Sequence, residues 1–109
     1  MDILENIERI EDYTRGFTFE RFVRDRLHRD AVERCLTRIA EAARKLEGLA
    51  ETLAPDQPWS DIRGIGNVLR HEYDRVEIEE IWRVVADDLA PLRKAVEAAL
   101  QTLQDADKS

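Results

Sequence analysis

The chain has 109 residues, 43% of them hydrophobic, and a formal net charge of −7, which suits one small domain over 1–109 that buries about two thirds of its unfolded surface. The negative charge argues against indiscriminate nucleic-acid binding, and the single cysteine, Cys35, excludes an internal disulfide and indicates a reducing compartment. No apolar run approaches the roughly 18 residues of a membrane span, and the first residues are acidic where a signal peptide would be basic, so we expect a soluble cytoplasmic protein.

Helical periodicity begins at the N-terminus. The isoleucines of the first ten residues recur at spacings of three and four, which predicts a first helix over about 2–14, ended by Gly16. Thr18 is suited to cap a second helix. The apolar stripe that follows Thr18 drifts slowly without a gap, and it predicts one unbroken helix over about 19–46.

The predicted loop region is the segment "GLAETLAPDQPWSD", residues 48–61. Its glycine weakens a helix, and Pro55 and Pro58 prevent one from continuing through it. A third helix is predicted to begin near Trp59 and to carry apolar residues toward the core as far as Tyr73.

The last predicted helix begins near Glu77 and keeps a helical apolar spacing to Leu103. Pro91 lies within this pattern, so we expect a kink or break near 88–91. Hairpin turns and sustained apolar alternation are missing from the sequence. The predicted fold is therefore all-α, an antiparallel bundle of four to five helices.

Several kinds of reactive site can be excluded on composition. Two histidines and one cysteine without clustered spacing cannot supply a zinc ligand set, and we predict no metal and no cofactor. The glycine-containing "RGIGN" has no preceding strand and no following Gly-Lys-Ser, which argues against a phosphate-binding loop. Neither serine has a recognisable base near it in sequence, so a nucleophile triad is not indicated.

The third helix carries the most suggestive polar arrangement. At 100° per residue, Arg63, Asn67 and Arg70 fall on one face, and His71 lies on its flank. An imidazole beside guanidinium and amide donors is the minimum equipment for phosphodiester chemistry. The alternative is an ordinary helix end, where Arg70, His71 and Arg75 favour the negative end of the helix dipole.

Four stretches of the chain resemble a known family, and they follow one another in its order: "ILENIERIEDYT", "DAVERCLTRIAEAARKL", "PWSDIRGIGNVLRHEY" and "IWRVVADDLAPL". They are similar to the HepT-like proteins of the HEPN superfamily. The resemblance implies an all-helical homodimer that acts as a metal-independent endoribonuclease, the toxin of a bacterial toxin–antitoxin pair. It also implies a minimal nucleotidyltransferase partner as antitoxin, which can neutralise the toxin by transferring AMP to a tyrosine.

The family signature is an arginine, four to six residues, a histidine, any residue and a tyrosine. His71 and Tyr73 match its last two elements, but Gly66 stands where the arginine is expected. Arg63 lies outside the permitted spacing, and Arg70 diverges from His71 by 100° around the helix. Two hypotheses follow. The chain is an active endoribonuclease in which Arg63 or Arg70 takes the role of the missing motif arginine, or it is a catalytically impaired scaffold or regulatory subunit of the nucleotidyltransferase.

The resemblance assigns roles to the matching positions. His71 is the expected acid or base, Arg70 and Arg63 are expected phosphate ligands within one chain or across a dimer, and Asn67 is a neutral donor. Tyr73 is the expected site of AMPylation, which would place negative charge where RNA phosphate must lie.

A second basic region precedes this site. Residues 15–38 contain seven arginines and four acids, a balance of +3 in an acidic chain. Arg21, Arg24 and His28 lie on one face and are predicted to extend the RNA-binding track. The alternative interpretation is a solvated helix face rich in charges of both signs.

Overall fold

The computed structural model describes residues 2–68 and 75–108, and the all-α prediction is confirmed. Within those ranges the elements are α1 (Asp2–Thr14), α2 (Phe19–Arg24), α3 (Arg26–Leu46), α4 (Gly48–Leu53), α5 (Trp59–Val68), α6 (Arg75–Arg83), a π-helical segment (Val84–Asp88) and α7 (Leu89–Lys108). The long helices form the predicted bundle, and α2 and α4 are short additions to it. In the described part of the chain, no helix combines the length and apolarity that crossing a membrane requires.

The core is centred on the packing of α1 against α3. Ile3, Ile7 and Ile10 of α1 are fully buried, at the helical spacing that the sequence shows. They belong to one apolar cluster that also includes Ile39 of α3 and residues of α5, α6 and α7. Cys35 is buried in the same cluster, as expected, and burial raises the pKa of its thiol.

The prediction of one unbroken second helix is wrong, because the chain divides into α2 and α3 at Asp25. The Asp25 carboxylate accepts a hydrogen bond of 3.1 Å from the backbone N–H of His28, which caps the start of α3. Arg29 donates to two carbonyl oxygens of α2 and so satisfies its C-terminal end. The predicted cap at Thr18 is confirmed, since its hydroxyl accepts from the N–H of Arg21.

The predicted loop is partly helical, so that prediction is wrong over Gly48–Leu53, which forms α4. Glu47, just before it, has φ 49° and ψ −134°, a conformation that favours glycine. The irregular stretch is limited to residues 54–58. Trp59 is buried at the predicted start of α5, and its indole N–H donates to the carbonyl of Ala54 at 2.8 Å.

The predicted irregularity near Pro91 takes the form of a widened helical turn rather than a break. Residues 75–108 stay helical, but Val84–Asp88 is π-helical, and the N–H of Leu89 bonds to the carbonyl of Val84, five residues back. In an α-helix the proline ring would crowd the carbonyl of Asp87 and leave it without a donor. One π-helical turn just before the proline accommodates this mismatch.

Candidate functional site

Three predicted site residues, Arg70, His71 and Tyr73, lie outside the described residues, and their roles stay predictions. α5 leads into this segment and α6 follows it. Gly66 and Asn67 belong to the helical backbone of α5, but described side chains end at Ile65 and resume in α6. The described geometry therefore concerns the helices that flank the predicted catalytic segment.

Arg63 is bound to the C-terminal end of α3. Its Nε donates to the carbonyl of Ala43 at 3.2 Å, and its Nη2 donates to the carbonyl of Glu47 and pairs with Oε1 of Glu51, both at 2.6 Å. The carbonyls at a helix C-terminus carry partial negative charge, so this guanidinium is well placed as a cap. An RNA phosphate would have to compete with these three oxygens for Arg63.

A second arginine strengthens the same contact in the opposite direction. Nη2 of Arg44, in the last turn of α3, donates to the backbone carbonyl of Arg63 at 2.8 Å. Each helix thus supplies an arginine to a carbonyl of the other. This exchange fixes the position of α5 along α3, and with it the start of the predicted catalytic segment.

The predicted RNA-binding residues Arg21 and His28 meet around an aromatic ring that the sequence reasoning missed. The guanidinium of Arg21 lies 4.1 Å from the centroid of the Phe17 ring. The His28 ring lies 5.1 Å from Phe17 at an angle of 54°. Arg24 is exposed and borders the same shallow surface depression as Arg21. The structure therefore brings these three predicted residues to one surface.

An acidic residue lies within this basic surface. Oδ1 of Asp25 is 2.8 Å from Nδ1 of His28, although the two groups lack the alignment of a good hydrogen bond. The His28 side chain, and then its backbone N–H, lower the pKa of Asp25. An ionised Asp25 offsets part of the positive charge that the predicted track offers to phosphate.

A cleft of about 660 Å³ lies between α5 on one side and α6, the π-helical segment and α7 on the other. Its apolar lining includes Ile62 and Ile65 of α5 and Leu89 of α7, while carboxylates such as Asp56 and Asp61 lie at its margin. Within residues 2–68 and 75–108, no three His, Cys, Asp or Glu side chains form a group that could hold a metal ion.

A family model described as "Ribonuclease HepT-like" matches residues 3–99. The matched region runs from α1 into α7 and includes the segment that carries the predicted histidine and tyrosine. The chain belongs to the HepT-like family. The resemblance of the four sequence stretches is thereby confirmed over nearly the whole chain.

Curated relatives agree with this membership. "Probable ribonuclease HepT" of Thermococcus cleftensis is 35% identical over 92 residues, 84% of each chain. "Putative RNase MJ1380" of Methanocaldococcus jannaschii is 30% identical over 96 residues, 88% of each chain. "Putative RNase TTE0752" of Caldanaerobacter subterraneus is 32% identical over 99 residues, 91% of this chain and 88% of the relative. No solved structure matches the chain. Family and relatives together support a ribonuclease-type HEPN protein.

Sequence reasoning missed two contributors to these surfaces, Phe17 and Arg44. Phe17 could have been found, because an aromatic residue directly before the Thr18 cap lies within reach of the first turn of the following helix. Arg44 offered no such signal, since an arginine in the last turn of a helix is usual and its partner lies 19 residues away in sequence.

Proposed function

We propose that this HepT-like chain is a metal-independent endoribonuclease that acts as a homodimer and as the toxin of a bacterial toxin–antitoxin pair. Its partner is a minimal nucleotidyltransferase that neutralises it by transferring AMP to Tyr73. The observation that carries the proposal is the family match over residues 3–99, which includes His71 and Tyr73 of the family signature. The relatives named as ribonucleases support it.

In the proposed reaction, His71 accepts the proton of a ribose 2′-hydroxyl or protonates the leaving oxygen. The 2′ oxygen bonds to phosphorus while the bond from phosphorus to the 5′ oxygen breaks, which gives a 2′,3′-cyclic phosphate and a 5′-hydroxyl. Arg70 and Asn67 would donate to the phosphate oxygens as their charge increases. We favour Arg70 over Arg63 for this role because Arg63 already binds three oxygens of its own chain.

RNA cleavage by the purified protein in excess EDTA tests the proposal. His71→Ala is expected to lower kcat by about 10² to 10⁴, the usual contribution of general acid–base catalysis. His28→Ala serves as the matched histidine variant, and there we expect a raised KM with kcat within about twofold, since its proposed role is binding. Cleavage by His71→Ala at the natural rate would exclude the mechanism.

The second candidate function is a catalytically impaired HepT-like scaffold or regulatory subunit of the nucleotidyltransferase. Gly66 at the place of the motif arginine favours it, because that arginine is the expected phosphate ligand. Under this hypothesis the natural protein leaves RNA intact but still forms a stable complex with the transferase. Gly66→Arg separates the two: a large gain in cleavage indicates an impaired natural site, while little change indicates that another arginine already serves.

If Arg70 takes the role of the motif arginine, Arg70→Gln should abolish RNA cleavage in the natural chain. In a chain that also carries Gly66→Arg, the same substitution should lower cleavage much less. Such coupling between the two substitutions is the mark of a shared role. Additive effects would show that Arg70 acts independently of the position that Gly66 occupies.

Intact mass measurement after incubation with the nucleotidyltransferase and ATP tests the modification. We expect AMP-sized increments that disappear in Tyr73→Phe and persist in Tyr13→Phe. Tyr13 is a suitable control because 36% of it is exposed, so it is also accessible to a transferase. Increments that persist in Tyr73→Phe would place the modification elsewhere.

A further inference from the structure

The cleft between α5 and α7 has an unfilled place at Gly64. A Cβ atom built on Gly64 would meet nothing within 4 Å, so no close contact in the described part of the chain requires a glycine there. Glycine is unfavourable inside a helix compared with alanine. A glycine on a helix face that borders a cleft leaves room for another backbone to approach.

The cleft combines an apolar floor with an acidic margin. Ile62, Ile81 and Leu89 contribute to the floor. Asp56 and Asp61 lie at the margin, and in the described ranges neither forms an ion pair. Among the described residues, the other charged ones that line the cleft are Glu80, Asp88 and Arg83, and Arg83 binds both of these carboxylates, at 3.3 and 3.0 Å. Among the described lining residues, four carboxylates therefore face one arginine.

The dimensions of the cleft suit a helix. Its described α5 wall runs from Ser60 to Ile65, which at 1.5 Å per residue is about 9 Å, close to two helical turns. An amphipathic helix inserts apolar residues at spacings of three, four and seven into a groove of this kind, while its polar face meets the margins.

We propose that this cleft binds a basic amphipathic helix of a partner protein. Apolar side chains of that helix would lie on the floor beside Gly64, and its lysines or arginines would face Asp56 and Asp61. A second copy of this chain fits less well, because a twofold contact through the cleft brings two acidic margins together in a protein of net charge −7. The inference does not depend on the proposed nuclease activity.

Two synthetic helical peptides with the same leucine and alanine face test the charge argument. One has lysines on its polar face and the other has glutamates. We expect the lysine peptide to bind and to shift the NMR methyl signals of Ile62, Ile81 and Leu89, with an affinity that falls as salt rises. The glutamate peptide should bind at least tenfold more weakly.

Substitutions in the full chain locate the binding. Gly64→Phe should fill the cleft and weaken binding of the lysine peptide more than tenfold, while circular dichroism shows that the fold is intact. The double variant Asp56→Asn with Asp61→Asn leaves the floor unchanged and should weaken it about threefold to tenfold, as expected for two exposed charges. Asp107→Asn, an exposed carboxylate near the end of α7, is the matched control and should bind normally.

Three outcomes would overturn the proposal. If both peptides bind equally, or if neither binds, the acidic margin does not select a basic helix. Shifts of other methyl signals would show that the peptide binds to another face of the protein. Conversion of a homodimer to a monomer by Gly64→Phe would show that a second copy occupies the cleft. RNA cleavage is measured separately, so a failed docking test and a failed nuclease proposal remain distinguishable.

Discussion

Arg63→Met removes the polar contacts of α5 with the carbonyls of Ala43 and Glu47 at the end of α3 and with Glu51 of α4, while it keeps most of the apolar stem. Each hydrogen bond to a carbonyl contributes about 0.5 to 1.5 kcal/mol net. The pair with Glu51 adds at most a few tenths, since that carboxylate side chain is 51% exposed. We therefore expect the variant to lose about 2 kcal/mol of unfolding free energy, or roughly 10 °C in Tm for a domain of this size.

Thermal unfolding followed by far-UV circular dichroism measures this loss, and RNA cleavage is assayed on the same samples below their Tm. Arg63→Lys should recover part of the stability, because an ammonium group can reach one carbonyl but cannot reproduce the fork of a guanidinium. Arg34→Met, at an exposed arginine of α3, is the matched control and should stay within about 0.5 kcal/mol. An unchanged Tm together with lost cleavage would refute the capping role and favour Arg63 as a phosphate ligand.

Three further variants test the local structure. Gly64→Ala should raise the free energy of unfolding in urea by about 1 kcal/mol, since the added methyl meets open space; a loss would mean that something packs there. Glu47→Gly should stabilise by about 1 kcal/mol because it relieves a positive φ of 49°, and no gain would show that the conformation carries no strain. The His28 side chain is the main cause that lowers the pKa of Asp25 in the folded protein. The ionised carboxylate therefore stabilises the fold at pH values above its unfolded pKa of 3.8, and this stabilisation is lost as the pH falls through the folded pKa. The Tm difference between the natural chain and Asp25→Asn should therefore shrink as the pH falls below 3.8, and a constant difference would contradict the linkage.

The sequence was sufficient for the helices whose apolar spacing is regular, because burial of one face decides whether they form. It was insufficient at Asp25, where α2 ends and α3 begins. The apolar stripe continues across this point, so periodicity alone cannot detect the break. Side-chain caps from Asp25 and Arg29 decide it, and Arg29 acts through carbonyls six and seven residues away.

For the site, resemblance supplied what periodicity could not. The family signature identifies His71 and Tyr73, whereas the helical pattern alone favours an ordinary helix end. Arg63 shared a predicted polar face with Asn67, and that placement is compatible with α5. Its partners are 16 and 20 residues away in sequence, so its binding to α3 depends on tertiary packing that a single-helix pattern does not contain.

Gly66 stands at the position of the motif arginine, so another arginine would have to supply its charge to the phosphate. Arg63 is 24% exposed in its side chain and bound to α3, so moving it to a phosphate would leave the carbonyls of Ala43 and Glu47 without this donor. Arg21 lies over the Phe17 ring on a different helix. Arg70, adjacent in sequence to His71, is then the arginine that we propose for the phosphate. Helical spacing would turn the side chains of Arg70 and His71 100° apart, so the proposed enzyme would need a dimer in which Arg70 of one subunit serves the histidine of the other.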